Sequence, residues 1–145
     1  MNRVSVLSLL AAVASTSRSI AASARTGSMS SSGNRREILR QKLPGEPLRE
    51  TVLIEVTYPP GAGSPPHEHA AGATAFVVSG SIVSQLNSEP ERTYHAGDAW
   101  YETPGTIHRI SRNASRSESA SLLAIYVAAP GTNLMRPLRS LRSES

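Results

Sequence analysis

The sequence predicts an all-β domain, a small antiparallel barrel or sandwich, on three grounds. From about Arg36 to Ala128 the chain is a series of short apolar and β-branched runs, each stopped by Pro, Gly or Asn. No segment of that region has an apolar stripe at the 3.6-residue spacing of an amphipathic helix. Short strands at regular intervals, with no helices between them, argue for sheets packed together or closed on themselves.

Thr51 to Tyr58 (TVLIEVTY) is rich in β-branched residues and stops at Pro59-Pro60-Gly61, where a hydrogen-bonded ladder cannot continue. Thr74 to Leu86 holds two apolar runs around Ser79-Gly80, a tight hairpin or bend. Glu91 to His95, Ala99 to Glu102, Ile107 to Asn113 and Ser121 to Ala128 are further strands. Turns are expected at Asn87-Ser88, Ala96-Gly97-Asp98 and Thr103-Pro104-Gly105. In the last, Pro followed by Gly suits a type II turn, which needs positive φ at its third residue. Leu134 to Ser145, with Arg136, Arg139 and Arg142 three apart, is expected to be a solvated tail, with a helical turn as the alternative.

At 145 residues there is room for one domain and one core. The chain has no Cys, so disulfides, thiolate nucleophiles and Cys-type zinc sites are excluded together. Any metal must rely on His, carboxylates or water. A net charge of +4 invites a nucleic-acid reading, but the basic residues sit at the two ends. Residues 51–130 hold four Arg against seven acidic groups, and no basic face with interleaved aromatics appears. Nucleic-acid binding is not expected.

Residues Val4 to Ala14 form an apolar run of 11 residues behind Arg3, too short to span a bilayer. The run fits a signal-peptide core, with Ala22-Ser23-Ala24 as a small-x-small cleavage site before Arg25. A signal peptide over 1–24 implies a secreted or periplasmic protein. The Ser-rich, Arg-bearing composition before the first acidic residue, Glu37, also describes a mitochondrial transit peptide. Residues 25–35 read as a flexible linker, 36–130 as the folded domain and 131–145 as a basic tail.

Three of the four His residues occupy informative positions. His67 and His69 lie two apart, after Pro65-Pro66 has made the chain extended. On a strand, residues i and i+2 share a face, so both imidazoles converge on one point. His108 follows the Pro104-Gly105 turn at the start of another strand, which brings a third imidazole there if the barrel closes. The alternative is a metal-free barrel in which the three rings line a polar pocket. His95 reads as a surface residue.

The stretch Gly63 to Gly80 (GSPPHEHAAGATAFVVSG) and the stretch Gly97 to Asn113 (GDAWYETPGTIHRISRN) resemble the two signature motifs of the cupin superfamily. The likeness spans roughly residues 50–130. It implies a compact jelly-roll β-barrel, or double-stranded β-helix, with a metal held by His67, His69 and His108. The divalent transition ion is Fe, Mn, Ni, Zn or Cu; imidazole ligands narrow that choice only modestly. The family's usual first motif adds a Glu seven residues before its closing Gly, and here that position is Ala73. Glu68 alternates to the face opposite its neighbouring imidazoles; Glu102 and Gln85 are the conceivable replacements.

The resemblance further implies a metal-dependent enzyme acting on a small-molecule substrate, dioxygenase-, isomerase- or lyase-like, or else a binding or storage module without turnover. Trp100 and Tyr101 are expected to pack at the core and rim. Tyr101 and Glu102 are the candidate catalytic groups, as hydrogen-bond donor and general base. Compact cupins often pair through N-terminal strands, so a homodimer through Thr51 to Tyr58, an otherwise unpaired apolar edge, is expected. Asn113-Ala114-Ser115 matches a glycosylation sequon, of use only to an exported eukaryotic protein.

Overall fold

The computed structural model describes residues 33–45 and 48–138. The expected signal peptide over 1–24 and most of the linker lie outside the described residues. Eleven strands make up two antiparallel sheets, and among the described residues no helix appears. The first sheet has the order β1(Asn34–Lys42), β2(Glu50–Tyr58), β10(Ala120–Ala128), β5(Ala73–Ser79), β8(Ala99–Glu102). The second has the order β11(Arg136–Pro137), β4(His67–His69), β9(Thr106–Asn113), β6(Ser81–Leu86), β7(Arg92–His95), and β3(Gly63–Ser64) also pairs with β9. This is the all-β jelly roll that the sequence predicts.

The core lies between the sheets, where alternate residues meet. Val52, Val56 and Tyr58 of β2 lie beside Leu122, Ala124 and Tyr126 of β10 and Val77 of β5 on the inner face of the first sheet, and Ile82 comes from the opposite sheet. The Tyr58 hydroxyl reaches across to Ser64 and Ser111, 2.7 and 2.9 Å away, so its burial leaves no polar atom unpaired. Ser79-Gly80 is a corner and not a hairpin, because β5 and β6 belong to different sheets. Gly80 has φ +68°, and a Cβ there would lie 2.8 Å from the Ala120 Cβ, so the corner requires glycine on two counts. Thr103 to Thr106 is the expected type II turn: the Thr106 N–H bonds the Thr103 carbonyl at 3.0 Å and Gly105 has φ +82°.

Three expectations need correction. The folded region begins earlier than Arg36, because β1 already includes Asn34 and Arg35, laid along β2. Thr51 to Tyr58 is no edge: β2 is paired with β1 on one side and β10 on the other, and the exposed edge is β1. The C-terminal tail is not wholly solvated. Arg136 and Pro137 pair with Glu68 and His67 of β4, and the Leu138 N–H bonds the Pro66 carbonyl at 3.1 Å. These backbone bonds fold the tail over the edge of the sheet that carries the histidines.

Candidate metal centre

Pro65-Pro66 holds the chain extended into β4, and strand alternation then sends His67 and His69 inward while Glu68 turns out toward Arg136, 3.4 Å away. The type II turn before β9 sets the register His67↔His108, so the third imidazole faces the first across the ladder. All three rings are buried, with centroids 4.7, 5.1 and 6.4 Å apart. One ring nitrogen from each can be chosen so that all lie within 4.8 Å of one another. The three residues that the sequence offers as ligands are thus brought together.

The hydrogen bonds around the rings fix their protonation. His67 Nδ1 lies 2.7 Å from the Pro65 carbonyl and His69 Nδ1 lies 2.8 Å from the Leu134 carbonyl. A carbonyl only accepts, so each Nδ1 carries the proton and each Nε2 is left with a lone pair. Those two Nε2 atoms face each other at 3.1 Å. Two bare lone pairs at that separation repel unless a cation lies between or beside them. Protonation is a poor answer, because burial pushes His67 down from 6.5 to about 4 and lowers His69 as well.

Glu102 is the carboxylate beside these rings. The usual carboxylate position, Ala73 on β5, is directly paired with Glu102 on β8, so their side chains project to the same face. Glu102 Oε1 accepts from Trp100 Nε1 at 3.0 Å and lies 3.2 Å from His108 Nδ1. Oε2 lies 3.8 Å from His69 Nε2 and has no hydrogen-bond partner. Burial pushes this carboxyl up, but the close approach of His108, and the attraction of His108 and His69 when either carries a proton, prevail, and its pKa lies below the ordinary value. A buried carboxylate oxygen with no donor, beside two unshared imidazole lone pairs, is an arrangement that could hold a cation. The donors suit a divalent transition ion.

The remaining ring nitrogen of His108, Nε2, lies 2.9 Å from Ser84 Oγ. Below the rings is a cavity of about 20 Å³, room for one or two water-sized groups. Ala73, Ala75 and Leu122 line it with apolar surface, and buried Tyr126 and half-buried Arg35 bring polar groups to it. Burial raises the Tyr126 hydroxyl to about 12, so it keeps its proton and remains a donor.

The other residues singled out in the sequence separate clearly. Tyr101 is 60% exposed and points out of the barrel, toward an open depression beside Ile125 and Val127. The same alternation along β8 that turns Trp100 and Glu102 inward takes Tyr101 away from the histidines, so this catalytic candidate falls outside the site. Gln85 bonds the Glu89 carbonyl at 2.9 Å, on the exposed side, and is no replacement ligand. His95 is a surface residue beside Asp98. Asn113 is buried and donates from Nδ2 to the carbonyls of Tyr58, Pro59 and Glu118, so the sequon is closed to modification in the folded chain. Sequence reasoning misses Arg35, Tyr126, Ser84 and the Leu134 carbonyl. Of these only Tyr126 carries a signal, as the polar tip within an apolar strand.

Comparison with known proteins agrees with this geometry. The family model described as "Cupin domain" matches residues 54–126, half of the chain. No curated protein matches. Among solved structures, a protein with a double-stranded β-helix domain from Klebsiella pneumoniae is 20% identical, with TM-score 0.58 over 75% of this chain and 88% of that one. A cupin-like protein from Thermotoga maritima is 21% identical, with TM-score 0.58 over 76% and 78%. The polyketide cyclase RemF from Streptomyces resistomycificus is 21% identical, with TM-score 0.55 over 74% and 72%. At these identities the structures speak for the fold alone, but together with the family match they establish that the chain belongs to the cupin family.

Proposed function

We propose that the chain is a metal-dependent cupin enzyme, dioxygenase-, isomerase- or lyase-like, acting on a small organic molecule at His67, His69 and His108. The observation that carries this is the pair of imidazole lone pairs facing each other at 3.1 Å, with the unpartnered Glu102 oxygen beside them. A divalent ion held there supplies Lewis acidity toward a substrate oxygen. The chain's own residues do the rest. The Pro65 and Leu134 carbonyls hold His67 and His69 in the ligating tautomer, and Trp100 anchors Glu102. Tyr126 brings a hydroxyl donor into the cavity, and Ala73, Ala75 and Leu122 give it an apolar lining.

A second reading, a metal-binding module without turnover, is favoured by the cavity's size: about 20 Å³ admits an ion and little more unless the rim moves. Metal analysis of untagged protein tests both. About one equivalent of Fe, Mn, Ni, Zn or Cu per chain, lost in His67→Ala and His108→Ala, supports the site. Turnover on oxygen-bearing small molecules then separates enzyme from binding module. No bound metal, with thermal stability unchanged in both variants, refutes both readings.

Two further readings accompany this one. Pairing of two copies has a free ladder in the exposed edge strand β1, where Ile38 and Leu39 are 47% and 43% exposed; a monomeric mass at micromolar concentration refutes it. Export is tested by the mature N-terminus, which the cleavage site puts at Arg25.

A further inference from the structure

Arg35 sits on β1 opposite Val56, half-buried, and its side chain lines the same cavity as the three histidines. Among the described residues no carboxylate comes within salt-bridge distance of it, whereas Arg36 and Arg40 on the same strand are paired with Glu55, Glu37 and Glu50. Nη1 lies against the Met135 thioether, and the guanidinium lies beside the Tyr126 hydroxyl. Sulfur is a weak acceptor, and among the described residues no carboxylate or carbonyl takes up the other guanidinium N–H groups.

The charge balance of the cavity is then lopsided. With neutral imidazoles, a divalent ion and Arg35 together bring three positive charges, and Glu102 alone opposes them. A partly desolvated site with an apolar wall does not hold such an excess without an anion. A planar guanidinium with unused donors, at the rim of a cavity too narrow for a bulky head group, matches a planar carboxylate. We propose that Arg35 is the specificity-determining residue of this site and that the substrate is a small carboxylate, its carboxyl group displacing Met135 from the guanidinium. The inference rests on the metal-site reading above and adds to it the chemical class of substrate.

The test uses untagged full chain loaded with Co(II), with glycolate as the anionic probe and glycolamide as its neutral counterpart, followed by the visible spectrum. Arg35→Gln is expected to weaken glycolate binding by about tenfold or more while leaving glycolamide within about twofold. Arg35→Lys, which keeps the charge without the fork, falls between. Glycolate affinity within about twofold of wild type in Arg35→Gln, with one ion per chain retained, overturns the role of Arg35 and leaves the metal site standing. Loss of the ion in Arg35→Gln makes the residue structural and also overturns it. Failure of the wild-type chain to hold Co(II) refutes the site itself, and this inference falls with it.

Discussion

Replacing Glu102 by Gln separates the electrostatic role of this side chain from its structural one. The amide keeps the volume, and its single carbonyl oxygen can still accept from Trp100 Nε1, now 3.0 Å from Glu102 Oε1, with His108 Nδ1 3.2 Å away. The amide nitrogen then takes the place of Oε2, the buried atom without a partner, and points toward the lone pair of His69 Nε2, 3.8 Å away. In the metal-free protein an unsatisfied buried oxygen costs about 1–3 kcal/mol, so Glu102→Gln is expected to be as stable as wild type or more stable by about that amount. In the metal-bound protein a negative charge is lost from the ligand shell, and affinity is expected to fall about 10–100-fold. Competition with a chromophoric chelator measures the second quantity and urea denaturation in EDTA the first. Trp100 is the chain's single tryptophan and is bonded to Glu102, so its fluorescence reports both. Opposite signs for apo stability and metal affinity are the signature of a cation site. Unchanged affinity, or a parallel loss of both, refutes the assignment of Glu102 to the ion.

The metal-free protein should lose stability on acidification. Burial holds His67 at about 4 against 6.5 unfolded, so between those values the unfolded chain binds a proton that the folded chain refuses. The loss amounts to roughly 3 kcal/mol by pH 4, and His69, shifted the same way, adds to it. Urea melts in EDTA at pH 7 and pH 4.5 check this, and equal midpoints refute it. Gly80→Ala should cost about 2–3 kcal/mol in the same assay, from its left-handed backbone and the 2.8 Å approach to Ala120; a cost under about 0.5 kcal/mol refutes the corner's dependence on glycine. Moving the carboxylate back across the ladder, in Ala73→Glu combined with Glu102→Ala, should recover metal affinity to within about tenfold of wild type, whereas Glu102→Ala alone loses about 100-fold or more. A double variant no better than Glu102→Ala refutes the equivalence of the two positions.

Local pattern is enough for most of the barrel. β8 begins and ends where alternation and turn residues predict, and β2, β9 and β10 extend only one residue further. His67 and His69 are legible because a two-residue period puts them on one face, and His108 because the Pro-Gly turn fixes where β9 starts. What is not legible is pairing. Nothing within Ala73 or Glu102 says that β5 and β8 will place them opposite each other; that register depends on a closed sheet. One clue is present, since a buried Trp100 requires Glu102 to turn inward with it. β1 reads partly as linker because its residues, NRREILRQK, carry no apolar alternation, and it is held by its ladder with β2 and not by a buried face. β11 is two residues long and basic, so only its pairing with β4 defines it.

The segments that local pattern fails to define are the ones that surround the site. The family match covers residues 54–126, which hold all three histidines, Glu102, Trp100 and Ser84. Arg35 and Leu134 lie outside it, on strands and turns contributed by the two ends of the chain. Yet the Leu134 carbonyl sets the tautomer of His69, and Arg35 is the cavity's one cationic side chain among the described residues. The barrel's interior must satisfy packing and pair its buried polar groups, whatever molecule enters. Its rim must satisfy only the molecule that enters. On the role proposed for Arg35, selectivity in this chain resides in a strand outside the family match, beside a histidine cluster that lies within it.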